Sequence, residues 1–376
     1  MLRTRGGGAD HGASKLFAHE HLRALGYNAS RGRIFLPITV FAANGVTEAE
    51  LFSGTESEGL FAARDQIADL AEELDFDSIW TLDRIVVPEA SDRGEMTYPF
   101  GMMEQFPLQM PVSARGQWLH GMPLIPWLAA RTKKVRIGMS IIDTPYRSPG
   151  VLAGEIATVD HLSNGRINVG VGSGWMPEEF AAASVSHIYP KRHKHVRESI
   201  EVMQGIWNND LFEYHGEFAD FDRCGFGIKP LQAGGPPIYF SGLKDPKRSA
   251  SRIAKYGLSG WIGIQDTPEE ITRWKTEIQR ELEELGSDRS LNNGFDMCSM
   301  IWFTITDEPT DQTPNGKLSN LLVGTADQIT DNLKRYKDAG MDMPLLWPPF
   351  SGVPVSKTID DLKRLANDIM PKVNAS

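Results

Sequence analysis

Residues 135–180 read VRIGMSIIDTPYRSPGVLAGEIATVDHLSNGRINVGVGSGWMPEEF. Two apolar runs, Val135–Ile142 and Ile167–Val171, flank a segment in which Val151, Leu152, Ile156, Val159 and Leu162 recur at helical spacing. Strand, helix and strand in that order make a βαβ unit, and this crossover implies a parallel sheet. The second run closes on Gly170, Gly172 and Gly174, followed by Trp175 and by Pro177 near a helix start. Glycines at that point let backbone N–H groups converge on an anion in front of a helix N-terminus. The plainer reading of the same glycines is a tight strand-to-helix turn.

The alternation continues in both directions. Upstream, Arg33–Phe41 is the expected first strand, and a helix over Gly59–Leu74 carries the stripe Leu60, Ala63, Ile67, Leu70, Ala71 and Leu74. Ser78–Leu82 is the second strand and ends at Asp83-Arg84. Downstream come a helix around Lys191–Trp207 and strands at Ile238–Ser241 and Ser259–Ile264. Asp266-Thr267-Pro268-Glu269-Glu270 opens a helix with a cap, an early proline and acidic first-turn residues. Met297–Ile305, a helix over Thr325–Ala339 and an eighth strand at Met343–Trp347 complete the series.

Eight strands alternating with helices predict the α/β class, specifically a (β/α)8 TIM barrel with an N-terminal arm and long insertions at the C-terminal face. The arm is residues 1–32, flexible or contacting a second subunit, and residues 33–374 form one barrel domain. Within it, 208–236 is an insertion and 85–117 a lid-like loop. Met102, Met103, Phe106, Met110, Trp118 and Met122 make that loop unusually apolar, which suits a cover over an apolar substrate or a subunit contact. A Rossmann fold is the rival architecture. It wants G-x-G-x-x-G early in a domain, whereas here the third glycine position is Trp175 and the motif sits in the fourth unit.

Composition narrows the function. The chain has 376 residues, 41% hydrophobic and 23% charged, with a net charge of −10. Such a balance, with basic residues spread along the chain, argues against a general nucleic-acid binder. Cys224 and Cys298 are too few for a disulfide framework or a four-ligand zinc site, and no metal is expected. Residues 1–30 lack the apolar core of a signal peptide, and no apolar run is long enough for a bilayer. A soluble cytoplasmic protein without membrane partners is the expectation. His193 and His195 lie two apart in a helical stretch and so point to different faces, which reads as two solvated or partner-facing histidines rather than a metal pair.

Several of these segments together resemble the luciferase-like oxidoreductases, a family of flavin- and deazaflavin-dependent (β/α)8 barrels. The matching pieces are Arg147-Ser148-Pro149, the run from Thr158 to Arg166, and Gly170 to Trp175 with Glu178-Glu179-Phe180. Arg197-Glu198 with Ile206-Trp207, Lys229-Pro230 through Gly242, and Gly324-Thr325 leading to Ala339-Gly340 extend the match over roughly residues 33–350.

The resemblance implies a flavin-dependent monooxygenase that uses reduced FMN and O2 on a small organic substrate. The FMN would come reduced from a separate flavin reductase, since no nicotinamide fingerprint is visible, and the family favours a homodimer. One alternative is hydride transfer with F420, which the Asp83–Pro88 and Gly174–Phe180 segments also resemble. A second is a non-catalytic flavin-binding protein.

In a parallel barrel the chemistry lies at the C-terminal ends of the strands. The cofactor candidates there are Ala42, Ser140, Ile141, Gly172, Ser173, Gly174 and Trp175, with Gly242, Leu243, Lys244 and Arg248 after the fifth strand. In relatives that last loop contributes to phosphate binding, so Lys244 and Arg248 are the cation candidates. Alignment to the family also places a non-prolyl cis peptide between Ser140 and Ile141.

Many relatives carry a histidine after the aspartate that ends the second strand, where this chain has Asp83-Arg84. Arginine stays cationic and cannot be a general base, though it can pin an anionic intermediate or a substrate carboxylate. An Asp83–Arg84 ion pair is the structural alternative. Asp83, Arg84 and His187 are the catalytic candidates, with His187, or His120 at the end of the lid, able to take over the acid–base role.

Overall fold

The computed structural model describes residues 35–37, 56–92, 114, 119–241, 245–292, 294–310, 321–347 and 355–375. The expected arm at 1–32, most of the lid, and the candidates Ala42, Gly242, Leu243 and Lys244 lie outside the described residues.

In chain order the elements are β1 (Phe35–Pro37), α1 (Glu56–Glu73), β2 (Ser78–Thr81), α2 (Gly121–Arg131), β3 (Arg136–Asp143), α3 (Pro149–Leu162) and β4 (Ile167–Gly172). They continue with α4 (Pro177–Ala182), α5 (Arg192–Asn208), β5 (Phe212–His215), β6 (Asp220–Cys224), β7 (Ile238–Ser241) and α6 (Pro246–Tyr256). The remainder are β8 (Gly260–Ile264), α7 (Pro268–Glu284), β9 (Asp296–Ile305), β10 (Leu322–Gly324), α8 (Ala326–Asp338), β11 (Met343–Trp347) and α9 (Val355–Arg364). Helix starts follow local chemistry. Thr267 with Glu270, and Thr325 with Gln328, form reciprocal capping boxes at α7 and α8.

The strands make an α/β fold around one curled parallel sheet. β1 pairs with β2, followed by β3, β4, β7, β8, β9 and β11, and β11 pairs in parallel with β1. β10 adds to the far end of β9. Side chains alternate across the sheet with period two. Ile79, Trp261, Ile301 and Leu346 face the helices, while Trp80, Ile262, Met300 and Leu345 fill the concave side. Because helices cover the convex face and the sheet's curl encloses the other, strands such as β4 are buried on both sides, which is why they read as unbroken apolar runs.

The expected strands fall where the sequence placed them to within a few residues. Helices α2, α6 and α9 were not placed from the sequence, and neither were three of the strands. The insertion at 208–236 contains an antiparallel hairpin, β5–β6, and β10 lies beyond the loop after β9.

The hairpin also corrects the reading of the two histidines. His195 is buried rather than solvated, because Phe218 at the hairpin turn stacks 4.9 Å from its ring and donates its N–H to Glu198 on the same helix. Burial lowers the His195 pKa to about 4. His193, on the other side of the helix, is half-buried.

Candidate active site

The concave apolar face ends in a rim. Leu82, Ile141, Ile264 and Trp302, near the C-terminal ends of β2, β3, β8 and β9, are packed against the inner core yet only partly buried. A broad apolar mouth with few polar groups is the environment a flat aromatic ring system requires. At its edge the Ser140–Ile141 peptide is cis, at the position the family resemblance implied, and the β3–β4 register shifts between Met139 and Ile142. Ser140 is buried, and its hydroxyl points at Met300 Sδ, 3.2 Å away.

Above this rim a knot of charged side chains is enclosed. Asp83 and Arg84 do not pair with each other as the structural alternative supposed. Asp83 takes both terminal nitrogens of Arg147, with Arg147 Nη2 at 2.9 Å from Oδ1, and accepts the Asp143 N–H. Arg84 turns instead to Glu179, with Nη1 2.9 Å from Oε2. Glu179 is fully buried and also accepts the Ile85 N–H at 2.9 Å and the Tyr146 hydroxyl at 3.2 Å. Desolvation raises the Glu179 pKa, against the pull of Arg84, and raises that of Tyr146.

Asp143 is a second acid in this knot. Its Oδ1 accepts the Gly174 N–H at 2.7 Å. Burial, reinforced by the Asp83 and Glu179 charges, pushes its pKa well above the usual carboxylate range, while Arg84 and the Gly174 N–H pull the other way.

Gly174 is the hinge of the glycine-rich loop. Its φ is 67°, and a Cβ there would lie 2.7 Å from the Tyr146 hydroxyl and 2.9 Å from Phe180 Cε2. Only glycine lets the backbone approach both rings. Gly172 ends β4, Ser173 is half-buried, and the half-buried Trp175 ring lies 5.7 Å from the Arg84 guanidinium carbon. Behind Trp175, Tyr146, Phe180 and Tyr189 form two successive edge-on contacts with centroids 5.0 Å apart.

A cationic group stands beside the loop. Arg192 donates from Nε to the Gly174 carbonyl at 3.2 Å and lies over the Tyr189 ring. Arg192, Arg252, Arg248 and Arg197 all act on His193, which burial and those four charges hold at about 4. Burial also lowers Arg252 itself, helped by Arg197 and Arg248. Asp245 offsets part of this charge, since it caps α6 through the Arg248 N–H and pairs with the Arg248 side chain at 3.2 Å. Next to these, the enclosed Ser249 hydroxyl has no hydrogen-bond partner among the described residues. Clustered arginines around a polar, partly enclosed point are what a phosphate requires.

Among the sequence candidates, the structure thus brings Asp83, Arg84, Ser140, Ile141, Gly172, Ser173, Gly174 and Trp175 to one end of the sheet. Arg248 is exposed at the start of α6, within the cationic group. His187 and His120 are both exposed, unlike the members of the buried knot. Glu179, Asp143, Tyr146, Arg192 and Arg252 were not singled out as site residues. For Glu179 the signal was present, because an acid at the third residue of a helix that follows a glycine loop points back toward that loop. Arg252 left no comparable trace, since nothing local distinguishes it from a surface arginine.

Fold and site together give an α/β protein with an apolar rim and a buried charged knot at the C-terminal ends of a curled parallel sheet. The chain belongs to the luciferase-like monooxygenase family, whose model matches residues 34–313. It is 28% identical over 262 residues to an FMNH(2)-dependent dimethylsulfone monooxygenase of Pseudomonas putida, covering 58% of this chain and 70% of that one. It is 25% identical over 293 residues to the oxygenase component of the flavin-dependent trigonelline monooxygenase of Acinetobacter baylyi, covering 66% and 79%. The fold is also that of an F420-dependent secondary alcohol dehydrogenase solved with an F420–acetone adduct. The TM-score is 0.65 at 18% identity, covering 91% of this chain and 99% of that one.

Among the described residues, no helix is long and apolar enough to cross a membrane, and no group of three or more His, Cys, Asp or Glu side chains could hold a metal ion.

Proposed function

We propose that this chain is the oxygenase of a two-component system, using reduced FMN and O2 to oxidise a small organic substrate, with a separate reductase supplying the flavin. The circuit of parallel pairings supports reading the curled sheet as a (β/α)8 barrel, whose mouth would receive the flavin ring. The observation that carries the reading is the cationic group beside the glycine loop. Arg192, Arg248 and Arg252, with the unpartnered Ser249 hydroxyl, fit the terminal phosphate of FMN. They join Lys244, which lies outside the described residues, as cation candidates, and Arg248 is common to both sets.

Bound reduced FMN supplies the electrons that activate O2. The chain's own residues do the rest. Leu82, Ile141, Ile264 and Trp302 offer an apolar surface that excludes water, and above it Arg84 presents a fixed cation and Asp143 a carboxyl whose pKa burial raises. The FMNH(2) dependence of the dimethylsulfone monooxygenase and the flavin dependence of the trigonelline monooxygenase favour FMN over F420. The likeness to the F420-dependent dehydrogenase keeps hydride transfer as the second reading.

Titration of the purified protein with FMN, riboflavin, reduced FMN and F420, read by calorimetry and fluorescence, tests this. Tight binding of FMN with much weaker binding of riboflavin supports it. Binding of F420 alone makes hydride transfer the working model. If no flavin or deazaflavin binds, the phosphate assignment is wrong.

A further inference from the structure

We propose that Arg84, held in place by Glu179, is the recognition group for a carboxylate or related oxyanion on the organic substrate. The inference rests on the reading of the mouth as the substrate and cofactor site.

The side chain of Arg84 is 9% exposed, and its Nη1 is committed to Glu179 Oε2. Met176 Sδ stands 4.0 Å from the same nitrogen, and Trp175 covers the guanidinium at 5.7 Å. Nε, by contrast, is enclosed and has no hydrogen-bond partner among the described residues. A guanidinium offers two kinds of edge to a carboxylate, one made by the two terminal nitrogens and one made by Nε with a terminal nitrogen. Glu179 touches Nη1 and leaves the Nε edge unmet. A buried donor without an acceptor is destabilising, and native structures rarely leave one without a functional reason.

The neighbouring acids do not satisfy it. Asp83 is taken by both terminal nitrogens of Arg147 and by the Asp143 N–H, and Asp143 Oδ1 is taken by the Gly174 N–H. Glu179 is itself divided among Arg84, Ile85 and Tyr146. Leu82, two residues before Arg84, and Ile141, two before Asp143, belong to the apolar rim. The chemistry recognised is therefore an apolar body carrying one anionic group. The apolar part would rest on the rim and the oxyanion would meet the free edge of Arg84.

Calorimetric titration of the full-length protein, without cofactor, with benzoate and benzamide, and with cyclohexanecarboxylate and its amide, tests this. In the wild type each acid should bind about tenfold or more tighter than its amide. Arg84→Gln should reduce that preference to within about threefold, and Arg84→Lys, which keeps the charge but loses the fork, should retain part of it. Arg280→Gln, on the exposed face of α7, controls for net charge and should leave the preference intact. Glu179→Gln keeps the Arg84 cation, so the preference should survive in it even if Arg84→Gln folds poorly. Equal binding of acid and amide in the wild type, no binding of either pair, or an undiminished preference in Arg84→Gln overturns the proposal. A parallel FMN titration separates the two ideas. FMN binding without acid preference sinks this inference alone, and acid preference without FMN binding sinks the flavin reading alone.

Discussion

Arg84 Nη1 lies 2.9 Å from Glu179 Oε2, so the cation that ends the second strand is held by a helix after the fourth strand and not by its chain neighbour Asp83. Both partners are enclosed, at 9% and 0% side-chain exposure, and the pair ties the glycine-rich loop to the rim of the sheet.

Removing one member of a buried pair strands the other charge. Glu179→Ala should therefore cost about 3–5 kcal/mol in urea unfolding, because Arg84 loses its carboxylate in a place water does not reach. Glu179→Gln keeps one acceptor oxygen, enough for the Ile85 N–H, while its amide N–H can donate to the Tyr146 hydroxyl, and it should cost about 1–2 kcal/mol. A loss below about 1 kcal/mol for the alanine variant would show that the pair is solvated.

Glycine-to-alanine changes should differ in sign along adjacent elements. At Gly170 a Cβ would lie 2.2 Å from the Met139 carbonyl oxygen of the neighbouring strand, which cannot rotate away. Gly170→Ala should destabilise by about 2–3 kcal/mol or more. Gly154, in the middle of α3, would have nothing within 4 Å of its Cβ, so Gly154→Ala should stabilise by about 0.5–1 kcal/mol. Thermal melts of the two variants moving in the same direction would contradict this.

His195 should make stability fall in mild acid. Its imidazole titrates at about 4 in the folded chain, below its ordinary 6.5, because burial disfavours the charged ring. Protonation therefore favours unfolding. The contribution is complete above pH 6.5 and is lost as the pH falls to 4, roughly 3 kcal/mol in all. Asp143 and Glu179, whose pKa values are raised, act in the opposite sense. The informative quantity is the difference between wild type and His195→Gln, measured by urea unfolding from pH 7 to 4. That difference should shrink as the pH falls, and a constant difference would exclude the titration.

The arginine group should read phosphate and not the flavin ring. Arg252→Gln is expected to weaken FMN binding about ten- to a hundredfold and to leave riboflavin binding within about twofold of wild type. Fluorescence titration with the two flavins decides it, and parallel losses for both would place Arg252 against the ring or in the fold.

The positions of the strands were legible because a parallel sheet buried on both faces demands continuous apolar runs, and the helices between them announce themselves by period and caps. Val135–Ile142 and Ile167–Val171 needed no knowledge of distant residues. The hairpin β5–β6 was harder, since its alternating exposed residues in FEYH and DFDRC carry no long apolar signal. Its consequence, the burial of His195 under Phe218, involves residues on two separate elements and has no local signature.

For the site the division is similar. The sequence alone determined the α/β class and the glycine loop of residues 170–174, since each follows from local spacing and backbone freedom. Tertiary structure decided the partners. Whether Arg84 meets Asp83 or Glu179, which acids burial pushes upward, and which arginines crowd His193 depend on through-space distances and on loss of solvent, quantities set only when strands and helices far apart in the chain are packed together.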